Sequence, residues 1–294
     1  MRRATESDLP AIAVLATLAG GSGWWGWEQR TGPVHPDRRR WVEVDGDEVV
    51  GYGCVWRRRE GIFGLDALVH PAWRKHGLGQ RICDRLFEDL AEYGATAVEA
   101  RIDADHRDAL RFMVERGFHE LNRLERLRLD LEGAAVDERG PDGIEIATLS
   151  ERRDDGTAGA VHRLLSAAFA ERPVRYLDPF VERPVAELTT ELERAPADGC
   201  FVARADGEVV GFSGLTAGPE PQTLAAFVTA VAPTHRHRGI AQALKRRTIA
   251  FAKRGGYRAI FSSSPNPDMQ ELNEMLGFRR CAAAEIRMAR RLKS

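Results

Sequence analysis

The 294 residues are 43% hydrophobic and 30% charged, which is enough apolar material for a sizeable core and more length than one average domain needs. The 43 Lys and Arg residues almost balance 44 Asp and Glu residues, and the net charge of -1 excludes a global positive field for nucleic acid or an anionic membrane. The N-terminus lacks the pattern of a signal peptide, and no apolar run approaches the roughly 20 residues of a membrane span. We therefore expect a soluble, cytoplasmic protein of two domains. The cysteines are widely spaced without a CxxC pair, which predicts buried free thiols and no metal site: Cys54, Cys83, Cys200 and Cys281.

The first half of the chain alternates apolar runs with amphipathic segments. After an N-terminal strand and helix, two apolar runs meet at Asp45-Gly46, a dipeptide that suits a tight hairpin turn. In the next predicted helix, Ile82, Leu86 and Leu90 are four residues apart and share one face. The predicted elements are strands at 41–44, 49–56, 62–69, 97–102 and 124–131, and helices at 77–93 and 107–115.

A polar stretch of three glycines and one proline, residues 132–143, is typical of a linker and predicts domains at 1–131 and 144–294. The second half repeats the pattern of the first. It is predicted to contain strands at 201–203, 209–215, 224–231, 259–262 and 285–292, and helices at 239–253 and 268–276.

Three segments recur in the same order at a nearly constant offset. Gly51 and Gly211, in matching hairpin segments, are 160 residues apart. The Gly-Phe pairs at Gly117 and Gly277 are also 160 apart, and a glycine loop between them recurs at an offset of 162. Such an internal repeat predicts two domains of one fold. The implied architecture is mixed α/β (α+β), with helices covering a mostly antiparallel sheet in each half.

The glycine loop has the composition of an anion site. Each copy follows a Val-x-Pro strand end and reads Arg-x-x-Gly-x-Gly or Arg-x-x-Gly-x-Ala at the start of a helix, where unpaired N–H groups and the helix dipole favour a diphosphate. A tight turn without a ligand is the alternative for such a loop taken alone. No Lys-Ser/Thr follows the glycines, which excludes a P-loop, and the third glycine of a dinucleotide fingerprint is missing. The candidate binding residues are Val69, Arg74, Lys75, His76, Gly77, Leu78 and Gly79, and Val231, Arg236, His237, Arg238, Gly239, Ile240 and Ala241.

These two segments resemble the acetyl-coenzyme A signature of the GNAT superfamily of N-acetyltransferases, and the resemblance spans nearly the whole chain, twice. It implies two tandem GNAT-like domains with splayed sheets, in which the loop amides hold the pyrophosphate of acetyl-CoA and a bulged strand admits its pantetheine arm. It also implies that the backbone amide of Val231, or of Val69, faces the thioester carbonyl as an oxyanion donor. Asn266 matches an asparagine that contacts the cofactor arm.

Two departures from the family pattern concern the chemistry. Many members have a tyrosine, four residues before the Gly-Phe glycine, that protonates the departing thiolate, and Met113 and Asn273 occupy this position here. Neither residue is an acid, although a thiol with a pKa of about 8.5 is a tolerable leaving group. His106 replaces the asparagine in the first half, so that half departs twice.

The proton acceptor for the attacking amine has two candidates, Asp66 in the first half and Thr229 in the second. Asp66 lies just before the presumed bulge of its strand, where a structural ion pair is an alternative role. Thr229 could only orient a water molecule. Aromatic residues fall where each acceptor-lining loop is expected, although such clusters are more often core: Trp24, Trp25 and Trp27, and Tyr176 and Phe180.

The sequence therefore predicts an N-acetyltransferase that passes the acetyl group of acetyl-CoA to a primary amine of a small molecule or peptide. The second half is expected to catalyse transfer, and the diverged first half to retain acetyl-CoA binding. A non-catalytic acyl-CoA-binding module is the alternative. No nucleic acid or membrane partner is expected, and the oligomeric state stays open.

Overall fold

The structure of the protein, a computed structural model, describes residues 1–20, 38–134, 137–152, 156–171, 196 and 198–292. Its contacts divide the chain into two compact units. Unit 1 comprises residues 1–123 and 284–294, and unit 2 comprises residues 124–283. Each unit contains a mixed sheet flanked by helices, so the predicted fold class is confirmed.

The sheet of unit 1 is antiparallel except at one pair of strands. Its strands follow the order β1, β2, β3, β4, β5 and β12, and only β4 and β5 run parallel among the described pairs. The tight turn at Gly46, with φ of 57°, joins β2 to β3 as the sequence predicts. The strands are β1 (Arg2–Arg3), β2 (Arg38–Asp45), β3 (Glu48–Arg59), β4 (Ile62–Val69), β5 (Ala97–Asp103) and β12 (Arg279–Arg291), the last contributing from Ala284 onward.

Helices cover both faces of this sheet. One face packs on α1 (Leu9–Leu18), and the other packs on α2 (Leu78–Glu92) and α3 (Arg107–Glu115). The apolar positions of α2 at Ile82, Leu86 and Leu90 are fully buried in the core, as their spacing predicts.

Unit 2 repeats this arrangement with strand order β6, β11, β10, β9, β8 and β7, in which β10 and β11 are parallel. Its strands are β6 (His119–Asp130, contributing from Leu124), β7 (Glu145–Thr148), β8 (Cys200–Ala205), β9 (Glu208–Ala217), β10 (Thr223–Val231) and β11 (Ala259–Ser264). Its helices are α4 (Thr157–Ala170), α5 (Ile240–Arg254) and α6 (Pro267–Met275).

The last strand of each half of the sequence belongs to the unit formed mainly by the other half. β12, at the chain's end, pairs with β5 of unit 1 from Ile286–Ile102 to Arg291–Ala97. β6, which ends the first half, pairs with β11 of unit 2. The domain ranges predicted from the sequence, 1–131 and 144–294, instead place each last strand in the same domain as the rest of its half. Both strands follow a Gly-Phe pair and have similar alternation, so local pattern cannot say which sheet edge each one joins.

The stretch 132–143 has no helix or strand among its described residues and is attached to α5 by ion pairs. Asp137 is 3.0 Å from Arg246, and Glu138 is 2.9 Å from Arg247 and also pairs with Arg254.

Of the four free thiols, Cys54, Cys83 and Cys200 are buried as expected, whereas Cys281 is exposed at the start of β12. Within the described residues, no helix has the length and apolarity needed to cross a membrane.

Candidate acetyl-CoA clefts

In unit 1, the parallel strands β4 and β5 separate before their ends. Their pairing stops at Leu65–Ala100, so the opening begins four residues earlier than the predicted splay after Val69. The amide of His70 donates to Val50 of β3, and alternate residues of a strand direct their amides to opposite sides. The amide of Val69 therefore faces the opening, where an oxyanion donor is required.

In unit 2, the corresponding opening also contains a bulge. The pairing of β10 and β11 stops at Ala225–Phe261, and β10 shifts register against β9 between Ala226 and Val228. The amide of Ala232 donates to Val210 over 2.8 Å, which leaves the Val231 amide directed into the opening. The extra residue in β10 accounts for one of the two residues by which the offset between the halves rises from 160 to 162.

The bulge presumed for the first half is absent near Asp66. Pairing of β3 with β4 continues without a register shift from Gly51–Val69 to Arg57–Phe63. The expectation of a bulged strand in both halves is therefore wrong for β4, because nothing in its sequence adds the extra residue that β10 contains.

The two glycine loops have the same backbone conformation. Lys75 and Gly77 have φ of 64° and 78°, and His237 and Gly239 have φ of 59° and 77°. Gly77 and Gly239 precede α2 and α5 directly, so the first unpaired N–H groups of each helix lie at the loop. A side chain added at Gly239 would have no heavy atom within 4 Å of its Cβ, which leaves open space in front of these amides.

The leading arginines of both loops brace the loop rather than extend into free space. Arg74 donates to Val69 O over 3.4 Å and to Ala19 O over 3.0 Å. Arg236 donates to Val231 O over 3.2 Å and pairs with Glu171 after α4.

The remaining basic side chains of the loops are exposed. Lys75 forms a 2.9 Å ion pair with Asp108. The side chains of His76, His237 and Arg238 lie at the surface beside the loops.

A cavity of about 370 Å³ occupies the opening in unit 1. It lies between the separated ends of β4 and β5 and the first turns of α2 and α3. Its lining includes Cys83, Ala100 and Met113, which are almost fully buried. Six residues chosen from the sequence come together around it: Asp66, Val69, Arg74, Lys75, Gly77 and Gly79.

The candidate bases differ in their surroundings. Asp66 lies opposite Cys54 in the β3–β4 pairing. Burial raises the pKa of the Cys54 thiol to about 11, and the nearby Asp66 carboxylate adds to that rise. In unit 2, the Thr229 hydroxyl is 2.8 Å from that of Ser213, so its hydrogen bonding is shared with the neighbouring strand.

The second-half residues carried over from the family pattern have defined partners. Asn266 caps α6, since its Oδ1 accepts the amide of Asp268 over 3.0 Å. Asn273 is fully buried on α6, and its Nδ2 donates to the Ser262 hydroxyl over 3.2 Å. Among the described residues, Asn273 Oδ1 has no hydrogen-bond partner.

Lys245 is a buried residue that the sequence interpretation missed. It lies on α5, is 3% exposed, and its Nζ lies 5.4 Å from the centroid of the Phe278 ring. Burial lowers the pKa of its ammonium group from 10.5 to about 8. Two features of the sequence could have drawn attention to Lys245. Only four of the 43 basic residues are lysines, and this lysine lies beside Leu244 on the apolar face of its helix.

The aromatic residues proposed for the acceptor loops lie outside the described part of the chain. They are Trp24, Trp25 and Trp27 in the first half, and Tyr176 and Phe180 in the second.

Both units therefore contain an opened mixed sheet followed by a glycine loop at a helix start. The sequence pattern of the acetyltransferase (GNAT) family matches residues 18–118 and 161–278, which together exceed half of the chain. The chain belongs to this family, and the predicted recognition and enzyme class are confirmed.

Similar proteins match most of the chain and most of their own length. It is 28% identical over 230 residues to a mycothiol acetyltransferase of Nocardioides sp., covering 71% of this chain and 70% of that protein. It is 24% identical to that of Rhodococcus erythropolis, covering 82% and 81%. The predicted resemblance to mycothiol synthase in layout agrees with these relatives.

Solved structures show the same fold. A GCN5-related N-acetyltransferase of Sphaerobacter thermophilus superposes with a TM-score of 0.79 at 21% identity, over 100% of this chain and 95% of that one. A tandem GNAT protein from the clavulanic acid biosynthesis pathway superposes with a TM-score of 0.73 at 19% identity, over 99% and 98%.

Proposed function

We propose that the protein transfers the acetyl group of acetyl-CoA to a primary amine, and that transfer takes place in unit 2. One observation carries the assignment to this unit: β10 is bulged where it leaves β11, so the Val231 amide faces a widened opening beside the Gly239 loop. β4 lacks that bulge, and His106 replaces Asn266 in unit 1.

The residues of unit 2 fit acetyl-CoA as the acyl donor. The N–H groups after Gly239 supply donors for a pyrophosphate at a helix start, and the space in front of them is open. The Val231 amide would donate to the thioester carbonyl and stabilise the oxyanion formed when the amine attacks. Asn266 Nδ2 is available for the arm, because capping uses only its Oδ1.

The amine must be neutral before it attacks the thioester carbon. An alkylamine has a pKa of about 10.4, so its proton must leave first. Thr229 would orient a water molecule for this step, and Asp66 is the corresponding candidate in unit 1. We propose that unit 1 binds acetyl-CoA through Val69 and the Gly77 loop and contributes little turnover.

The acceptor class is a small-molecule or peptide primary amine. The relatives are named mycothiol acetyltransferases, so amines related to mycothiol come first in a screen.

Acetyl-CoA binding at the second loop is tested by Gly239→Gln, which places a side chain in front of the loop amides. We expect at least about 10-fold weaker binding by calorimetry, measured in a Gly77→Gln background to silence the first loop. A non-glycine residue at positive φ also costs about 1–2 kcal/mol of stability.

The matched control for Gly239→Gln is Gly256→Gln. Gly256 has φ of 73° and equally open surroundings, but lies beyond the other end of α5. This control has the same strain and should bind acetyl-CoA normally. Equal affinity in both variants would mean that the Gly239 loop is only a turn.

A further inference from the structure

The floors of the two clefts differ in chemistry at matching positions. In unit 1 the buried residues that line the cavity include Cys83, Ala100 and Met113, none of which carries a charge or a strong hydrogen-bonding side chain. The repeat places Lys245, Ser262 and Asn273 at these three positions of unit 2: the sixth residue of the helix after the loop, the fourth residue of the neighbouring strand, and four residues before the Gly-Phe glycine.

The three polar replacements are buried and incompletely paired. Lys245, Ser262 and Asn273 are 3%, 4% and 0% exposed. Asn273 Nδ2 donates to Ser262, but Asn273 Oδ1 has no partner among the described residues. Among the described residues, Lys245 Nζ makes no hydrogen bond or ion pair, and it lies 5.4 Å from the centroid of the Phe278 ring. A buried cation without an anion costs stability, and a ligand anion bound beside it would offset that cost.

Among the residues that the structure describes, no acid forms an ion pair with this ammonium group. The described neighbours on β10 and β11 carry no charged side chain, and the acids of α6 are exposed: Asp268, Glu271 and Glu274. The arginines of α5 pair with residues 137 and 138 on the outer side of the helix. Burial alone therefore lowers the pKa of Lys245.

We propose that Lys245 is a catalytic residue of unit 2 that protonates the coenzyme A thiolate as it leaves, in place of the tyrosine that both halves lack. This inference rests on the proposed function, since it requires the thioester to lie in the opening between β10 and β11. The amine nitrogen forms a bond to the acetyl carbon, the C–S bond breaks with its electron pair on sulfur, and an Nζ proton of Lys245 passes to that sulfur. Lys245 then regains a proton from solvent, and the amine releases its own proton.

The proton affinities of donor and acceptor are matched. Lys245, with a pKa of about 8, is mostly protonated at pH 7, and a thiol has a pKa of about 8.5. Transfer between groups of similar pKa has no large energetic penalty in either direction. The ammonium group also stabilises the thiolate by charge.

The first test measures the ionisation of bound coenzyme A and needs no acceptor amine. Free coenzyme A is added to the Gly77→Gln chain, and thiolate absorbance is followed against pH with and without Lys245→Met. Lys245 should lower the midpoint of thiol ionisation by about one pKa unit relative to Lys245→Met. Equal midpoints, with coenzyme A still bound at the Gly239 loop, would overturn the inference and leave the proposed function standing. Loss of specific binding at that loop would overturn both.

The second test follows turnover against pH with the best amine of a screen. Wild-type turnover should rise to pH about 8 and then level off, because further amine deprotonation is cancelled by deprotonation of Lys245. Lys245→Met should lower kcat about 10²-fold with little change in KM for acetyl-CoA, and its remaining rate should keep rising toward pH 10. A continued rise in the wild type, or acetylation of Lys245 itself detected by mass spectrometry, would contradict the assignment.

The melting temperature of Lys245→Met separates a catalytic role from a structural one. If Lys245 is catalytic, removing its unpaired buried charge should leave the melting temperature unchanged or raise it while activity falls. A lower melting temperature with an unchanged thiol midpoint would show that Lys245 only supports packing. Lys253→Met is the matched control, because Lys253 is an exposed lysine on the same helix and should affect neither readout.

Discussion

Gly239→Gln is expected to lower acetyl transfer by at least about 10²-fold, whereas Gly77→Gln should retain most of the activity. The added side chain removes access to the amides before α5, and loss of correct positioning costs about this factor in rate. At Gly77 the same change affects a cleft whose strand β4 has no bulge and whose helix α3 begins after His106 rather than asparagine. Thiol release at saturating acetyl-CoA measures the difference.

Two further variants separate lost chemistry from lost folding in this comparison. Gly94 and Gly256 also have positive φ and open surroundings, each just beyond the helix that follows one loop. Gly94→Gln and Gly256→Gln should match the melting temperatures of the loop variants without affecting turnover. Activity that survives at Gly239 but disappears at Gly77 would assign transfer to unit 1.

Asp89→Ala is expected to destabilise unit 1 by about 3 kcal/mol, the largest effect on stability that we predict for a single substitution. Asp89 is fully buried on α2 and accepts hydrogen bonds from Trp41 Nε1 at 2.7 Å and from Arg39 and Arg85 at 2.8 Å each. Alanine would leave two guanidinium groups and an indole N–H without their shared acceptor. Both arginines retain about a quarter of their exposure to water, which keeps the cost near the lower end of the usual range.

Glu92→Ala is the matched control for Asp89→Ala. Glu92 contacts the same two arginines, but its side chain is 53% exposed, so its loss should cost at most about 1 kcal/mol. Urea unfolding followed by tryptophan fluorescence compares the two variants. Similar midpoints for both would show that the buried acceptor adds nothing beyond a surface ion pair.

Local pattern predicted most of the fold because hairpins, amphipathic helices and glycine loops are encoded by neighbouring residues. The turn at Gly46, the helix after Gly77 and the repeated Gly-Phe pairs all lie where the sequence places them. The partner of each last strand could not be predicted in this way. β6 and β12 have equivalent patterns, and their choice of sheet depends on contacts between residues more than 100 positions apart.

The parts of the cleft that depend on local sequence pattern could also be predicted. The glycine loops and strand ends were identified because backbone approach to an anion requires particular residue types at fixed spacing. The bulge in β10 was not distinguished from the regular strand β4, since its extra residue is only one of the two by which the offset between the halves rises from 160 to 162. Lys245 was missed because a lysine on a helix is usually exposed, and only the structure shows it buried.

Thiol release from acetyl-CoA by the intact chain, measured across a panel of primary amines with mass analysis of the products, tests the central claim most directly. The account predicts amine-dependent release, one acetylated amine for each thiol, and loss of both in Gly239→Gln. Tight acetyl-CoA binding at the Gly239 loop with no amine-dependent release would contradict it and identify the protein as a non-catalytic acyl-CoA-binding module.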